Sequence, residues 1–185
     1  MAITVHPTKM DEIIARAIAR NTSPRAEKTA EFLTWGADEN ILTALAFGWW
    51  LFNRSGSAAQ RRDSDHLLVT TLVAAIVPHL LKDVFNQERP DRLTVLGHLH
   101  GVPVSGNRLD AFPSGHAMHV GALASAATEL QRGQRNLVWG VGAGLVLTRV
   151  VLLAHWTTDV ISGLVMGAGI ERLLRFVTRY GRPPR

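Results

Sequence analysis

Five apolar runs, at 41–52, 67–81, 117–130, 137–154 and 160–170, punctuate this 185-residue chain. None alternates apolar with polar residues, and Leu, Ala and Val dominate all five, which predicts helices and excludes a half-buried sheet. The runs set the fold class: an all-α bundle built as one domain. None is an uninterrupted stretch of about 20 apolar residues, the usual length for crossing a bilayer. Hydropathy alone therefore fits either the core helices of a soluble bundle or short spanning helices extended by polar residues. Two features favour the membrane. Gly140 with Gly144 and Gly163 with Gly167 form G-x-x-x-G spacings, which let helices approach closely. Trp49, Trp50, Trp139 and Trp156 lie near run ends, as in an interfacial aromatic belt.

Before the runs, Met10, Ile13, Ile14, Ala17 and Ile18 recur at helical spacing, with Asp11, Glu12, Arg16 and Arg20 on other faces. This predicts an amphipathic helix, either lying at a membrane surface or packed on its own domain. Ser23 and Pro24 read as the N-cap and first residue of a second helix. The expected organisation is an N-terminal amphipathic region over 1–36, a helical core over 37–176 and a basic tail over 177–185. No basic segment followed by an apolar one opens the chain, so no cleaved signal peptide is expected. Loops are expected at 53–66, 82–113 and 131–136, and after residue 171. The second is long enough to suggest function.

With no cysteine, thiolate chemistry and Cys-based zinc sites are excluded. A net charge of +5 suits a phosphorylated substrate, anionic lipid or nucleic acid. No nucleic-acid module is legible, and one Tyr and six Phe offer little for base stacking, so no nucleic-acid partner is expected.

The polar residues between the runs gather in three islands. In the first, Lys82 and Arg89 stand about two helical turns apart and could share a face, with Pro90 ending the helix. Both residue types bind phosphate, although solvated surface charge is the ordinary role of either. The second is Pro113-Ser114-Gly115-His116. Ser114 is a natural N-cap whose helix start would favour an anion, and Gly115 permits close approach of a phosphate. Alone, this tetrapeptide reads more readily as an ordinary capped helix with an incidental histidine. In the third, Arg149 precedes His155, and Asp159 follows four residues later. An arginine in an apolar helix calls for a partner or ligand. If the segment is helical, Asp159 can fix the tautomer of His155 and leave its other nitrogen as a nucleophile. The alternative is a satisfied buried histidine with Asp159 capping the last run. Simple up-down connectivity brings all three islands to one end of the bundle. His98 with His100, and His116 with His119, lack a carboxylate partner set for a metal. His6, His66 and His79 read as incidental.

Taken together, Lys82…Arg89-Pro90, Pro113-Ser114-Gly115-His116 and Thr148-Arg149…His155…Asp159 resemble the tripartite signature of the type 2 phosphatidic acid phosphatase family. Thr148 stands where that signature usually has Ser and keeps the hydroxyl. The resemblance implies an integral-membrane bundle of about five spanning helices plus the amphipathic helix. That bundle would share the core of acid phosphatases and vanadium haloperoxidases. It implies His155 as nucleophile forming a phosphohistidine, Asp159 as its orienting partner and His116 as acid and then base. Lys82, Arg89, Ser114, Gly115 and Arg149 would cradle the phosphate, with no metal or cofactor. The implied substrate is a lipid phosphate or pyrophosphate: phosphatidic acid, phosphatidylglycerol phosphate or an isoprenoid pyrophosphate. A soluble acid phosphatase, a haloperoxidase using vanadate and a non-catalytic lipid-phosphate binder are the alternatives. More arginines fall on the side away from the site, which by the positive-inside tendency points the site to the periplasm of a bacterial inner membrane.

Overall fold

The computed structural model describes residues 2–90 and 109–181, and within them the chain is mostly helical. Strand β1 (Ile3–Thr4) is followed by α1 (Lys9–Asn21), α2 (Pro24–Thr34), α3 (Glu39–Phe52) and α4 (Ala58–Val84). Then come β2 (Phe85–Asn86), α5 (Gly115–Ala126), α6 (Arg132–Val151) and α7 (Thr157–Thr178). Ser23 caps α2, with Pro24 in its first turn, as its sequence predicts. Most of the 82–113 loop, with His98 and His100, and the end of the basic tail lie outside the described residues.

Each expected run is helical, but three expected loops are shorter than their polarity suggests. Helix α4 begins nine residues before its apolar run, because Ser57 and Gln60 form a capping box that starts it early. Helix α6 begins at Arg132, and α7 continues to Thr178, held by the Glu171–Arg175 pair one turn apart. Arg, Gln, Glu and Asp are tolerated in helices, so polarity alone does not mark an end.

Helix α5 is the centre of the molecule. Eight of its 12 residues are buried, among them Ala117, Met118, Val120 and Ala122. It lies against α7 at close range. A Cβ on Gly121 would overlap the backbone of Leu164, and one on Gly167 would overlap the carbonyl of Met118. The spacing of Gly163 and Gly167 thus does serve helix packing. That of Gly140 and Gly144 does not, since both face open space, and it is Gly142 that meets Val120.

By length and apolar composition together, α4 is the one described helix fit to cross a membrane, with a mean hydropathy of 1.7 over its best window. Helix α5, about 18 Å long, is too short to span alone. Large apolar side chains nevertheless stand exposed on several helices, including Phe47 and Leu51 on α3, Ile76 and Leu80 on α4, Leu147 on α6 and Val165 on α7. Trp49 and Trp139 are exposed too, whereas Trp156 is buried and no part of an aromatic belt.

Helix α1 is fixed to the bundle by Asp11, Ala15 and Ala19, all buried. Ile14 and Ile18 pack inward, but Met10 and Ile13 of the predicted apolar face are 64% and 62% exposed. The buried stripe is therefore rotated from the one that hydrophobicity alone selects. At the opposite end, His66 is no incidental residue. Wholly buried, it meets Glu171 at 3.1 Å and Thr178 at 2.7 Å and stacks on Tyr180.

Candidate active site

The C-terminal ends of α4 and α6 and the N-terminal ends of α5 and α7 lie at one end of the bundle, where their polar islands meet. The first island is not helical throughout. Helix α4 stops at Val84 because Phe85–Asn86 pair in parallel with Ile3–Thr4. Lys82 and Arg89 therefore do not share a helix face. Asp110 unites them instead, 3.6 Å from Lys82 Nζ and 2.7 Å from Arg89 Nη2. Arg89 Nε also donates to Asp110, and its Nη1 donates to the Ala154 carbonyl at 3.0 Å. Arg89 is thus attached to the third island directly.

Ser114 is the N-cap of α5 and accepts from the Ala117 N–H at 3.4 Å. Its own N–H donates to the Asp159 carbonyl at 3.2 Å, joining the second and third islands through the backbone. The peptide bond between Phe112 and Pro113 is cis. His116, in the first turn of α5, feels the charges of Arg149, Lys82 and Arg89. His155 feels the same three, so both histidines stand in one cationic field. Helix α2 reaches this end as well, where Thr34 accepts from Arg149 Nη1 at 3.0 Å. Arg149 Nε is buried and has no hydrogen-bond partner among the described residues.

His155 and Asp159 are not neighbours on a helix. His155 lies in the short connection between α6 and α7, after Leu153, whose φ is 52°. Its Nδ1 donates to the Ala111 carbonyl at 2.6 Å and is 3.9 Å from Asp159 Oδ2. A carbonyl only accepts, so Nδ1 carries the proton and Nε2 keeps its lone pair. Asp159 accepts from the Trp156 N–H at 2.9 Å and holds the first turn of α7. The backbone of Ala111, rather than the carboxylate, sets the tautomer. Burial above all, and then Arg149 and Arg89, hold the His155 pKa well below the ordinary imidazole value, against the opposing effect of the Ala111 bond. At neutral pH the ring is therefore neutral, the form that can act as a nucleophile.

Sequence reasoning missed Asp110, the Ala111 carbonyl, Thr34 and Asp11. Asp110 and Ala111 lie just upstream of the second island, but no spacing rule marks them. Asp11 reads as a surface residue of an amphipathic helix and is instead 2% exposed. It accepts from the Thr158 N–H at 3.0 Å and the Thr158 hydroxyl at 2.8 Å.

A sequence model described as the PAP2 superfamily matches residues 66–182, a stretch that holds all three islands. Two proteins named lipid A 1-phosphatase are similar in sequence. The one from Rhizobium johnstonii is 34% identical over 113 residues, covering 60% of this chain and 46% of its own. The one from Rhizobium etli is 33% identical over 113 residues, covering 60% and 49%. The chain thus spans about half the length of these relatives. Among solved structures, Aquifex aeolicus LpxE superposes with a TM-score of 0.75 at 16% identity, covering 93% of this chain and 98% of that one. A transmembrane PAP2 type phosphatidylglycerolphosphate phosphatase from Bacillus subtilis gives 0.66 at 18% identity, covering 95% and 88%. At these identities the structural likeness bears on the fold.

Proposed function

The chain belongs to the PAP2 superfamily, and from that premise we propose that it is a membrane-embedded phosphatase. In this reading it removes a terminal phosphate from a lipid phosphate or lipid pyrophosphate through a phosphohistidine. The observation that carries the proposal is the state of His155. Its Nδ1 is committed to the Ala111 carbonyl, so Nε2 is the free nucleophile in a field of three cations. The names of the Rhizobium relatives support a lipid-borne phosphate as substrate.

Lys82, Arg89 and Arg149 hold the phosphate oxygens, helped by the start of α5 behind Ser114 and Gly115. His155 Nε2 attacks phosphorus, an N–P bond forms, and the bond to the leaving oxygen breaks. His116 donates its proton to that oxygen. The negative phosphate beside His116 favours the protonated ring that this step needs. A water then attacks the phosphohistidine while His116 takes its proton, the N–P bond breaks, and inorganic phosphate leaves with His155 restored. The fixed cations meet the charge that develops on the equatorial oxygens. Asp159 and the Ala111 carbonyl keep the third island in register.

The exposed apolar side chains on α3, α4, α6 and α7 suit lipid contact. Helix α1, with Met10 and Ile13 outward and Arg16 and Arg20 beside them, suits the interface. Residues 1–185 act as one catalytic domain, and the arginine excess at the far end orients the site to the periplasm of a bacterial inner membrane. The test is phosphate release in detergent, with EDTA present, across phosphatidic acid, phosphatidylglycerol phosphate, isoprenoid pyrophosphate and lipid A. Release from at least one of these lipids, unaffected by EDTA, is the expected result. A purified, folded protein that binds such lipids and releases no phosphate would refute the proposal.

A further inference from the structure

We propose that Asp11 of α1 is a positioning residue for the nucleophile, capping α7 from outside and thereby holding the connection that carries His155. This rests on the reading of His155 as nucleophile and assigns a role to a segment that precedes the stretch matching the PAP2 superfamily, which begins at residue 66.

A helix start leaves its first N–H groups without intrahelical partners, and the N-cap side chain ordinarily supplies an acceptor. The residue in that place on α7 is Trp156, whose indole can only donate and whose Nε1 is given to the Glu88 carbonyl at 2.7 Å. The missing acceptor comes from Asp11, far away in sequence. Its Oδ1 accepts from the Thr158 N–H and its Oδ2 accepts from the Thr158 hydroxyl. The same Oδ2 accepts from the backbone N–H and hydroxyl of Thr8 at 2.9 and 2.8 Å, so α1 and α7 are capped by one carboxylate. Burial alone would raise the Asp11 pKa, but these hydrogen bonds together bring it below the ordinary carboxylate value, and the group is ionised at neutral pH. An anion at a helix start is also favoured by the helix dipole. Around this cap, Ala15 and Ala19 of α1 pack against Ala111, Leu153 and Trp156. Those three residues are the one whose carbonyl orients His155, the one with positive φ just before it and the one just after it. Of the phosphate cradle, Lys82 and Arg89 are held by Asp110 and Arg149 by Thr34, none of them in contact with Asp11, and only the second anchor of Arg89, the Ala154 carbonyl, belongs to the connection. Loss of the cap should therefore displace the nucleophile and leave phosphate binding in place.

The test measures kcat and KM on a soluble phosphate ester, with the thermal midpoint, for the full chain in detergent carrying Asp11→Ala, Thr158→Val or Thr158→Ser. In Asp11→Ala, kcat should fall roughly tenfold or more, because small misplacements of a reacting group are costly. KM should stay within about twofold, the mark of an interaction made in the transition state. Thr158→Val should give a smaller fall of the same kind, since its N–H remains, and Thr158→Ser should keep wild-type kcat. The double variant Asp11→Ala with Thr158→Val should lose no more than Asp11→Ala alone. If Asp11→Ala does not fold, the Val and Ser pair decides. Unchanged kcat in the folded variants, or a rise in KM alone, overturns the inference. A wild type inactive on this ester and on every lipid of the panel above would instead overturn the phosphatase reading itself.

Discussion

At the scale of the residue, His155 illustrates how burial prepares a group for chemistry. A solvated imidazole with a pKa of about 6.5 would be partly charged near neutrality, and a charged ring cannot attack phosphorus. Burial beside Arg149 and Arg89 keeps it neutral. The cost appears in stability. Below about pH 6.5 the unfolded chain takes up a proton on this ring that the folded chain refuses, so stability falls as pH falls. Above that value the contribution is fully present. We expect His155→Gln, whose amide can still donate to the Ala111 carbonyl, to cut phosphate release by at least about a thousandfold. We also expect it to reduce the loss of stability on acidification by up to about 1.4 kcal/mol per pH unit. Activity assays and melts of both proteins between mildly acidic and neutral pH check the two parts. Equal pH slopes would refute the burial account of His155. The residue types of this site are legible in the sequence, but their partners are not. That Asp159 would bond His155 follows from assuming one continuous helix. The chain breaks at Leu153, and a backbone carbonyl, which no side-chain pattern announces, takes the place of the carboxylate.

At the scale of the element, the two glycine pairs separate what spacing shows from what packing decides. Both have the same four-residue separation, yet only Gly163 and Gly167 meet a partner helix, because they lie on the face of α7 that packs against α5. Gly167→Ala should destabilise the protein by about 1–3 kcal/mol or more, since backbone rather than a flexible side chain stands in the way. Gly144→Ala, facing open space, should be neutral or stabilising by up to about 1 kcal/mol through helix propensity. Thermal or denaturant unfolding in detergent distinguishes them, and equal effects would sink this account of the α5–α7 crossing. The apolar runs make the helices themselves legible. Their ends are less so, for reasons outside each segment. Capping by Ser57 lengthens α4 at its start, and pairing of Phe85–Asn86 with Ile3–Thr4 ends it before Arg89. The stripe of α1 that turns inward is likewise chosen by Asp11 and two alanines, not by its largest apolar residues.

At the scale of the whole molecule, the two ends of the bundle differ in kind. One gathers Lys82, Arg89, Arg149, His116 and His155 around the proposed phosphate site. The other holds a closed polar network in which His66, Ser125 and Arg175 all engage the buried Glu171. Up-down connectivity makes the meeting of the islands legible from the sequence, because consecutive helices must alternate ends. It gives no sign of the far network, whose members are spread over three helices, with only Glu171 and Arg175 on the same one. Arg54, Arg61, Arg62, Arg132 and Arg135 all belong to the far end, and by the positive-inside tendency they are the basis of the proposed orientation, with that end in the cytoplasm and the site outside. The absence of cysteine allows a direct test against a silent background. Arg16→Cys would put a thiol on α1 near the site, and Arg132→Cys would put one at the start of α6, both at exposed positions. In Gram-negative cells with a permeabilised outer membrane, a membrane-impermeant maleimide should label the first at once. It should reach the second only after the inner membrane is disrupted. Arg132→Cys labelled in intact inner membranes with Arg16→Cys protected would reverse the orientation. In that case the arginine excess, part of which is spent in ion pairs such as Arg54 with Asp65 and Arg175 with Glu171, would not be what orients the chain.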